Sequence, residues 1–364
     1  MQKSDKSTPL TTTIDETSLV NASLIVDLKR LIENTKNKVI FSANSELVLM
    51  YWKIGERIQE EILKNKRADY GENIIATLSQ HLTGEYGKGF TKSSTARMLQ
   101  FYKAFPDIKI VATLSQQLTW SHFVEVLALR PDLKRNFYAE MCRIERWSVR
   151  KLREKIDGLL YERTAIAKKP EEIAQRELEK LRKEDILTPT LILKDPYLLD
   201  FLELTETYSE KDLESAILRE IEKFILELGS DFSFLSRQKR ISIGDEDYYL
   251  DLLFYNRALR RLIAIELKMG KFKAADKGQM EFYLRWLDKH EKKPGEEVPL
   301  GIILCSDKNQ EQVELLELAQ NGIHVAEFIT QLPSPEVFEQ TLHRAIAYAK
   351  AKLDGSLNYE NSTL

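Results

Sequence analysis

The chain has little of what marks several protein classes. Its two cysteines, Cys142 and Cys305, lie far apart and have no second cysteine or histidine at ligand spacing, so neither a disulfide framework nor a zinc site is expected. No stretch approaches the roughly 18 apolar residues of a membrane-spanning helix. The N-terminus is polar and has no apolar signal core. We therefore expect a soluble, cytoplasmic protein with no membrane partner.

The sequence also lacks an excess of basic charge. Lys and Arg number 54 against 57 Asp and Glu, so the formal net charge is −3 and any nucleic acid must be bound by a local basic patch. The five histidines show no ligand spacing, and the glycines of "GEYGKGF" follow a helical pattern instead of a strand. Neither a histidine metal centre nor a phosphate-binding loop is indicated.

The patterning of the 364 residues divides the chain into two domains. Residues 1–18 are polar and are predicted to form a disordered tail. Residues 19–165 repeat apolar side chains at spacings of three and four, as amphipathic helices do, and residues 166–190 are a charge-rich helical linker. Residues 191–352 alternate helix and strand, and residues 353–364 are predicted to be a second tail.

The predicted fold class is therefore α+β, with an all-helical first domain. In the second domain, a helix that begins with a capping box at Ser209 and Asp212 ends at Gly229. Three β-type runs joined by tight turns follow and predict a meander. Further helices and strands alternate after it, which indicates an α/β layer arrangement around one central mixed sheet.

The first domain contains a helix-turn-helix or winged-helix outline in "ENIIATLSQHLTGEYGKGFTKSSTARMLQFYKAFP". Thr91 or Ser93 is expected to cap its second helix. That helix has no acid and carries four candidate DNA contacts, Lys92, Arg97, Gln100 and Lys103. An ordinary helical hairpin with a solvated basic face has the same outline. A domain that binds only protein therefore remains an open alternative.

A later helical segment places basic residues around Trp147, and we take Arg146 and Arg150 as further candidate phosphate contacts. The same segment has an apolar stripe that includes Leu152 and Ile156, which is typical of an ordinary buried helix face. Both interpretations remain open.

The strand "RRLIAIELK" carries two charged residues on one face, Glu266 and Lys268. The preceding strand carries Asp251, and antiparallel pairing would allow Asp251 to approach Glu266. Glu291 and Lys293 have the same spacing but lie in a polar loop without an acidic strand partner, so spacing alone means nothing. The three strand residues form either a structural ion pair or a metal-dependent catalytic centre.

A catalytic centre of this composition would suit magnesium, which prefers carboxylate, carbonyl and water oxygens. Asp251, Glu266 and the carbonyl of Leu267 are the candidate ligands. Such an ion polarises a phosphoryl oxygen and activates water, and Lys268 would orient that water or neutralise developing charge.

These residues carry a resemblance to a known family. Asp251, fourteen residues, and then Glu266-x-Lys268 resemble the PD-(D/E)XK nuclease signature, although Leu250 stands where the signature has proline. The blocks "FILELGSDFSFLSRQKRISIG", "DLLFYNRALRRLIAIELK" and "GQMEFYLRWL" resemble the YhcG-type bacterial family, whose helical domain precedes a nuclease domain. The resemblance implies a restriction-endonuclease-like second domain and metal-dependent hydrolysis of phosphodiester bonds in DNA.

Three further residues are candidates for the same site. Gln279 and Tyr283 lie one helical turn apart and resemble the Q-x-x-x-Y element of RecB-like nucleases, a spacing that is also common by chance. Glu214 lies on a helix stripe from which a carboxylate could face the metal, as a first-helix acid does in related nucleases. Its alternative role is that of a first-turn acid stabilised by the helix dipole.

The leading hypothesis is a Mg²⁺-dependent DNA endonuclease, with Mn²⁺ able to substitute, that acts in DNA processing, repair, recombination or defence. The alternative is a nuclease fold retained as a non-catalytic DNA-binding or assembly module within a restriction or defence complex. Cutting both strands of a duplex would suggest a homodimer, yet no long apolar heptad pattern marks an interface.

Overall fold

The structure, a computed structural model, describes residues 16–64, 70–204, 207–229 and 231–361. Two compact units divide between Leu127 and Ala128. Most of the predicted first tail lies outside the described residues, but its last residues, from Glu16, are already helical. The predicted second tail is helical as far as Asn361, because the last helix continues through it. Its one glycine costs a helix only about 1 kcal/mol and does not end it.

The first unit is helical throughout its described residues. The helices are α1 (Glu16–Lys64), α2 (Tyr70–Tyr86), α3 (Lys92–Ala104), α4 (Ile108–Leu114) and α5 (Trp120–Leu127). Gly55 of α1 allows α3 to approach closely, because an added Cβ would lie 2.1 Å from the Met98 carbonyl oxygen. Trp52, Phe101 and Phe123 are buried in the core of this unit.

The predicted helix-turn-helix outline is present as α2, a short 3-10 turn and α3. Thr91 caps α3, since its side chain accepts a hydrogen bond from the Ser94 amide. No strand occurs in the part of this unit that the structure describes, which favours a helix-turn-helix over a winged helix.

The second unit contains ten α-helices and six strands in its described residues. The helices are α6 (Asp132–Glu145), α7 (Val149–Asp157), α8 (Leu160–Arg163), α9 (Glu171–Glu184), α10 (Pro189–Ile192), α11 (Glu210–Arg219), α12 (Ile221–Leu228), α13 (Ala274–His290), α14 (Gln310–Leu315) and α15 (Pro335–Asn361). The strands are β1 (Tyr197–Leu198), β2 (Phe232–Ile243), β3 (Glu246–Asn256), β4 (Arg261–Lys271), β5 (Leu300–Asp307) and β6 (Ile323–Ile329).

The strands form one mixed sheet in the order β1-β6-β5-β4-β3-β2. The predicted meander is confirmed as the antiparallel strands β2, β3 and β4, whereas β4, β5, β6 and β1 pair in parallel. The short strand β1 was not predicted, because two residues carry no periodicity. Apolar clusters cover both faces of the sheet, which explains why β4 and β5 read as almost continuous apolar runs.

Two helical predictions need correction. The helix predicted from Ser209 to Gly229 keeps its capping box but breaks at Glu220 into α11 and α12. Helix α9, which lies in the predicted charge-rich linker, has an apolar face that buries Ala174, Leu178 and Leu181. Spacings of four and three place these three side chains on one face of the helix, and the many charges between them hid that stripe in the sequence.

The segment from Ala128 to Glu184 belongs to the second compact unit, although the sequence pattern grouped residues 19–165 in one domain. Ion pairs join α6 to α9: Arg182 and Arg143 both bind the buried Glu140, and Arg143 also binds Asp185. These contacts make α9 part of a packed layer instead of a free connector.

Candidate active site

The candidate site lies where β3 and β4 separate. The two strands pair in the register Leu252 opposite Ile265, which places Asp251 and Glu266 opposite each other just beyond the last backbone pair. The Asp251 side chain accepts a hydrogen bond from the Leu267 amide at 2.9 Å, and Glu266 accepts one from the Asp251 amide at 3.3 Å. The structure therefore brings the two predicted acids together, with carboxylates in place of ladder carbonyls.

Glu266 is the most deeply buried acid of this group, with 3% of its surface exposed. Burial, and then the neighbouring charge of Asp251, raise its pKa to about 7. Burial also raises the pKa of Asp251, in spite of its hydrogen bonds to Leu267 and Gln238. Both carboxylates are thus short of compensating positive charge.

Lys268 supplies part of that charge. Its Nζ atom lies 3.2 Å from Oε2 of Glu266, and its side chain is 21% exposed. Burial alone would lower the pKa of Lys268, but the carboxylates of Glu266, Glu210 and Asp251 together outweigh it and raise the pKa. The ion pair considered in the sequence interpretation therefore exists. Asp251 has no ion pair among the described salt bridges, so the two acids have one paired cation between them.

Gln279 and Tyr283 form a second line of contacts, on α13. The Gln279 side-chain amide donates to the Tyr283 hydroxyl at 2.8 Å, and that hydroxyl donates to the Tyr249 carbonyl at 3.1 Å. Tyr283 is 1% exposed, and burial raises its pKa. This pair thus binds the β3 backbone two residues before Asp251, and no direct hydrogen bond from either side chain to Asp251 or Glu266 is present among the described contacts.

Glu214 approaches the site from α11. Its Oε2 atom accepts a hydrogen bond at 2.8 Å from the side-chain amide of Gln238, and the same amide donates to Asp251 at 3.0 Å. Glu214 therefore reaches Asp251 through one intervening side chain. Glu214, Gln238 and Asp251 line an open cleft of about 500 Å³ together with Lys211, Ser215, Arg237 and Glu210.

Sequence reasoning missed Gln238 and Glu210. The β2–β3 hairpin pairs Ile243 with Glu246, and the same register counted back along β2 places Gln238 opposite Asp251. The predicted turn thus held enough information to find Gln238. Glu210 accepts a hydrogen bond from the Met269 amide at 3.0 Å, a contact between distant elements for which the sequence carries no signal.

Gln238 has a left-handed backbone conformation, with φ 45°. A left-handed conformation costs a residue with a Cβ roughly 1–2 kcal/mol. Such strain persists only where the surroundings hold the residue in place, and it concentrates at functional sites.

The six candidate DNA contacts are divided between the two units. Lys92, Arg97, Gln100 and Lys103 lie on α3 of the first unit, whereas Arg146 and Arg150 lie in the second. The Gln100 amide donates to the Leu127 carbonyl at 3.1 Å, and Arg150 pairs with Glu154 at 3.3 Å. The other four side chains belong to exposed residues.

Comparisons with known proteins agree with this geometry. A mixed sheet that carries Asp251 and Glu266-x-Lys268 on adjacent strands defines the restriction-endonuclease-like fold class. Residues 190–343 match the family model described as the YhcG PDDEXK nuclease domain, and residues 27–163 match the DUF1016 N-terminal domain.

One curated relative aligns along most of its length. The chain is 32% identical over 348 residues to the Escherichia coli (strain K12) protein "Putative nuclease YhcG", an alignment that covers 87% of this chain and 92% of that protein. The chain therefore belongs to the YhcG family of nucleases with a PDDEXK domain.

Two solved structures also match part of the chain. They are a repair endonuclease from Pyrococcus abyssi, with 24% identity and a TM-score of 0.25, and an EndoMS complex with double-stranded DNA, with 18% identity and a TM-score of 0.26. These alignments cover 35% and 36% of this chain and about half of each matched chain, 50% and 49%.

The donor atoms of the site suit a hard divalent cation. Asp251 and Glu266 offer carboxylate oxygens with raised pKa values, which a nearby dication would lower again. No cluster of three or more His, Cys, Asp or Glu side chains with metal-binding geometry occurs in the described part of the chain, so backbone and water oxygens would have to complete the shell. The Leu267 carbonyl points to the same side of β4 as its amide, which faces Asp251.

No helix among the described residues is long and apolar enough to cross a membrane.

Proposed function

We propose that this protein is a Mg²⁺-dependent DNA endonuclease, with Mn²⁺ able to replace Mg²⁺. The observation that carries the proposal is the pair of acids formed by the half-buried Asp251 and the buried Glu266, held opposite each other where β3 and β4 separate, with one lysine paired to Glu266. Asp251, Glu266 and the Leu267 carbonyl would hold the ion. When bound, a divalent ion polarises a phosphoryl oxygen and lowers the pKa of water.

Lys268 is the group that this chain contributes to proton and charge balance. Its ammonium group stays protonated, because the Glu266 carboxylate raises its pKa. A fixed positive charge beside the acids stabilises negative charge that develops on the phosphoryl group, and its three N–H bonds orient a water molecule.

Gln279, Tyr283 and Glu214 support this centre from outside. Through Tyr283, the α13 pair holds the Tyr249 carbonyl and so fixes the part of β3 that carries Asp251. Glu214 extends the acidic cleft towards α11 through Gln238. Supporting contacts of this kind fix the orientation of the residues that bind a metal ion and tune their affinity for it.

DNA contact is proposed for the helix-turn-helix of the first unit. Lys92, Arg97 and Lys103 are exposed on α3, where a positive helix can follow a phosphate backbone. Arg146 and Arg150 are a second proposed contact, and Gln100 is the weakest candidate because its amide already binds the Leu127 carbonyl. We also propose that the protein forms a homodimer and has partner proteins in DNA processing, restriction or defence.

The decisive experiment is a cleavage screen on linear, nicked, flapped and four-way DNA with Mg²⁺ or Mn²⁺. The parent chain should cleave at least one substrate, and EDTA or Asp251→Ala should abolish the cleavage. Glu291→Gln is the matched control, because Glu291 has the same Glu-x-Lys spacing but pairs with Lys239, 2.7 Å away. Cleavage by Asp251→Ala at the parental rate would contradict the proposal.

The same screen separates a nuclease from a non-catalytic module. DNA binding in EDTA without cleavage of any substrate after Mn²⁺ is added would favour the module. Deletion of residues 19–127, which spares the second compact unit, would remove the first unit from DNA recognition if it left DNA affinity unchanged.

A further inference from the structure

In the described structure, the Gln238 side chain joins Glu214 of α11 to Asp251 of β3. Its Nε2 atom donates to Glu214 at 2.8 Å and to Asp251 at 3.0 Å. Arg237 pairs with Leu252 and Lys239 with Leu250, so the intervening Gln238 lies directly opposite Asp251. Directly opposed side chains on neighbouring strands are close enough to interact.

The backbone at Gln238 shows that this contact is not incidental to a regular strand. The Gln238 backbone is left-handed, with φ 45°. Gln238 forms no backbone pair in the β2–β3 ladder, although its neighbours on both sides are paired. A regular strand would not need this conformation, and glycine would adopt it without strain. A glutamine at this position has a strained backbone, but its side chain reaches the cleft.

The carboxamide is well matched to two carboxylates. Its nitrogen has two N–H bonds, one for each acid, and it carries no charge. A glutamate at this position would add a third negative group. A lysine would supply the positive charge that a bound divalent metal ion would otherwise provide. A neutral double donor therefore holds the two acids together and leaves their negative charge in place.

We infer that Gln238 is a positioning residue that fixes Asp251 and Glu214 in one cleft and thereby sets the affinity of the site for a divalent ion. The inference rests on the proposed metal-dependent function and deepens it. Gln238 acts through Asp251, as residues outside a metal's own ligands typically do, and loss of such a residue typically lowers metal affinity about 10- to 100-fold.

The test compares two variants that remove the same amide but differ in backbone strain. Gln238→Ala keeps a Cβ in the left-handed conformation, whereas Gln238→Gly relieves the strain. Calorimetric Mn²⁺ titration of the full chain should give a dissociation constant at least about tenfold higher for both variants than for the parent. In EDTA, Gln238→Gly should melt above Gln238→Ala, so the weaker Mn²⁺ binding of the glycine variant would not reflect a weaker fold.

Glu317→Gly is the matched control, because Glu317 is exposed and left-handed, with φ 46°, but lies outside the cleft. It should bind Mn²⁺ with the parental dissociation constant. Parental Mn²⁺ affinity in both Gln238 variants would overturn the inference while leaving the proposed function intact. A parent chain that binds no Mn²⁺ would overturn the proposed metal-dependent function and this inference with it.

Discussion

Two groups of buried and half-buried acids in the second unit differ in the cations that pair with them. Asp195 binds both Lys168 and Lys308, and Glu227 binds both Arg163 and Lys194. Burial alone would raise the pKa of Asp195, but its two lysines hold that pKa well below the usual range. At the candidate site the balance is reversed, since burial raises the pKa of both Asp251 and Glu266.

The difference separates a structural ion-pair network from a site that has fewer paired cations than acids. Each acid of the first group has two cations, whereas Lys268 pairs with Glu266 and Asp251 makes no ion pair among the described salt bridges. A protein that needed these charges only for stability would gain by pairing them fully or replacing them with apolar residues. The retained excess of negative charge is the physical argument for an external divalent ion.

The largest expected effect is on cleavage. Glu266→Gln keeps the size of the side chain but removes its charge, so cleavage of the best substrate should fall by about a thousandfold or more, as loss of a group that stabilises transition-state charge does. Rates of plasmid or branched-DNA cleavage in Mg²⁺ measure the effect. Glu291→Gln should retain the parental rate, and an equal loss in both variants would remove the distinction between the two Glu-x-Lys sequences.

The converse effect is expected in the ion-pair network. Asp195→Asn leaves the nearly buried ammonium of Lys308 without its carboxylate and should lower the free energy of unfolding by roughly 3 kcal/mol, independent of metal. Urea unfolding in EDTA measures the change. Asp247→Asn, which removes an exposed ion pair with Arg240, should change stability little. A stability change in Asp195→Asn that depended on metal would contradict the view that the ion pairs of Asp195 are purely structural.

Lys268→Ala should have an intermediate effect. Cleavage should fall by about a hundredfold, because the variant loses a fixed charge beside the phosphoryl group. Mn²⁺ affinity should stay close to that of the parent, since lysine is not a ligand, and calorimetric titration tests this. Lys293→Ala is the control, because Glu291 and Lys293 form a second Glu-x-Lys sequence in a polar loop. Parental cleavage by Lys268→Ala would exclude Lys268 from the mechanism.

The smallest effect concerns pH. Burial lowers the pKa of His324 to about 4, although its Nε2 atom lies 2.8 Å from the Lys194 carbonyl. Below a pKa near 6.5 the unfolded chain binds a proton at this histidine, whereas the folded chain does so only near pH 4, so its contribution to stability is lost as pH falls between those values.

Between pH 7 and pH 5 the parent should therefore lose about 2 kcal/mol more stability than His324→Gln. The comparison of the two proteins cancels the opposing change at Glu266, whose raised pKa adds stability as pH falls. Urea unfolding at both pH values provides the measurement, with His81→Gln, at an exposed helical residue, as the control. An equal pH dependence in parent and His324→Gln would refute a neutral, half-buried histidine.

Much of the fold was predictable because the meander has strong local signals. Alternating strands and two tight turns placed Asp251 and Glu266 on partner strands, and the pairing of Leu252 with Ile265 confirms that register. The attachment of α6 to α9 was not predictable, since the contacts between them join residues about 40 positions apart, such as Glu140 and Arg182. Local patterns record which face of a helix is apolar but not which neighbour covers it.

The candidate site shows the same limit. Asp251, Glu266 and Lys268 follow from strand alternation, and Gln238 follows from the hairpin register. Glu210 does not, because its contact with the Met269 amide depends on how α11 packs against the sheet. Nor could the sequence reveal that Asp251 makes no described ion pair while Asp195 pairs with two lysines.

The most direct test of the central claim is a set of thermal melts of the parent and Asp251→Asn, each in EDTA and in Mn²⁺. Two carboxylates about 4–5 Å apart repel by about 3–4 kcal/mol at an effective dielectric near 20, before Lys268 and solvent offset part of it. Asp251→Asn should therefore melt at or above the parental temperature in EDTA. Only the parent should gain stability with Mn²⁺, as mass action requires of a ligand that binds the folded state. A large drop in the Asp251→Asn melting temperature that is the same in EDTA and Mn²⁺ would contradict the account and identify the cluster as a structural ion pair.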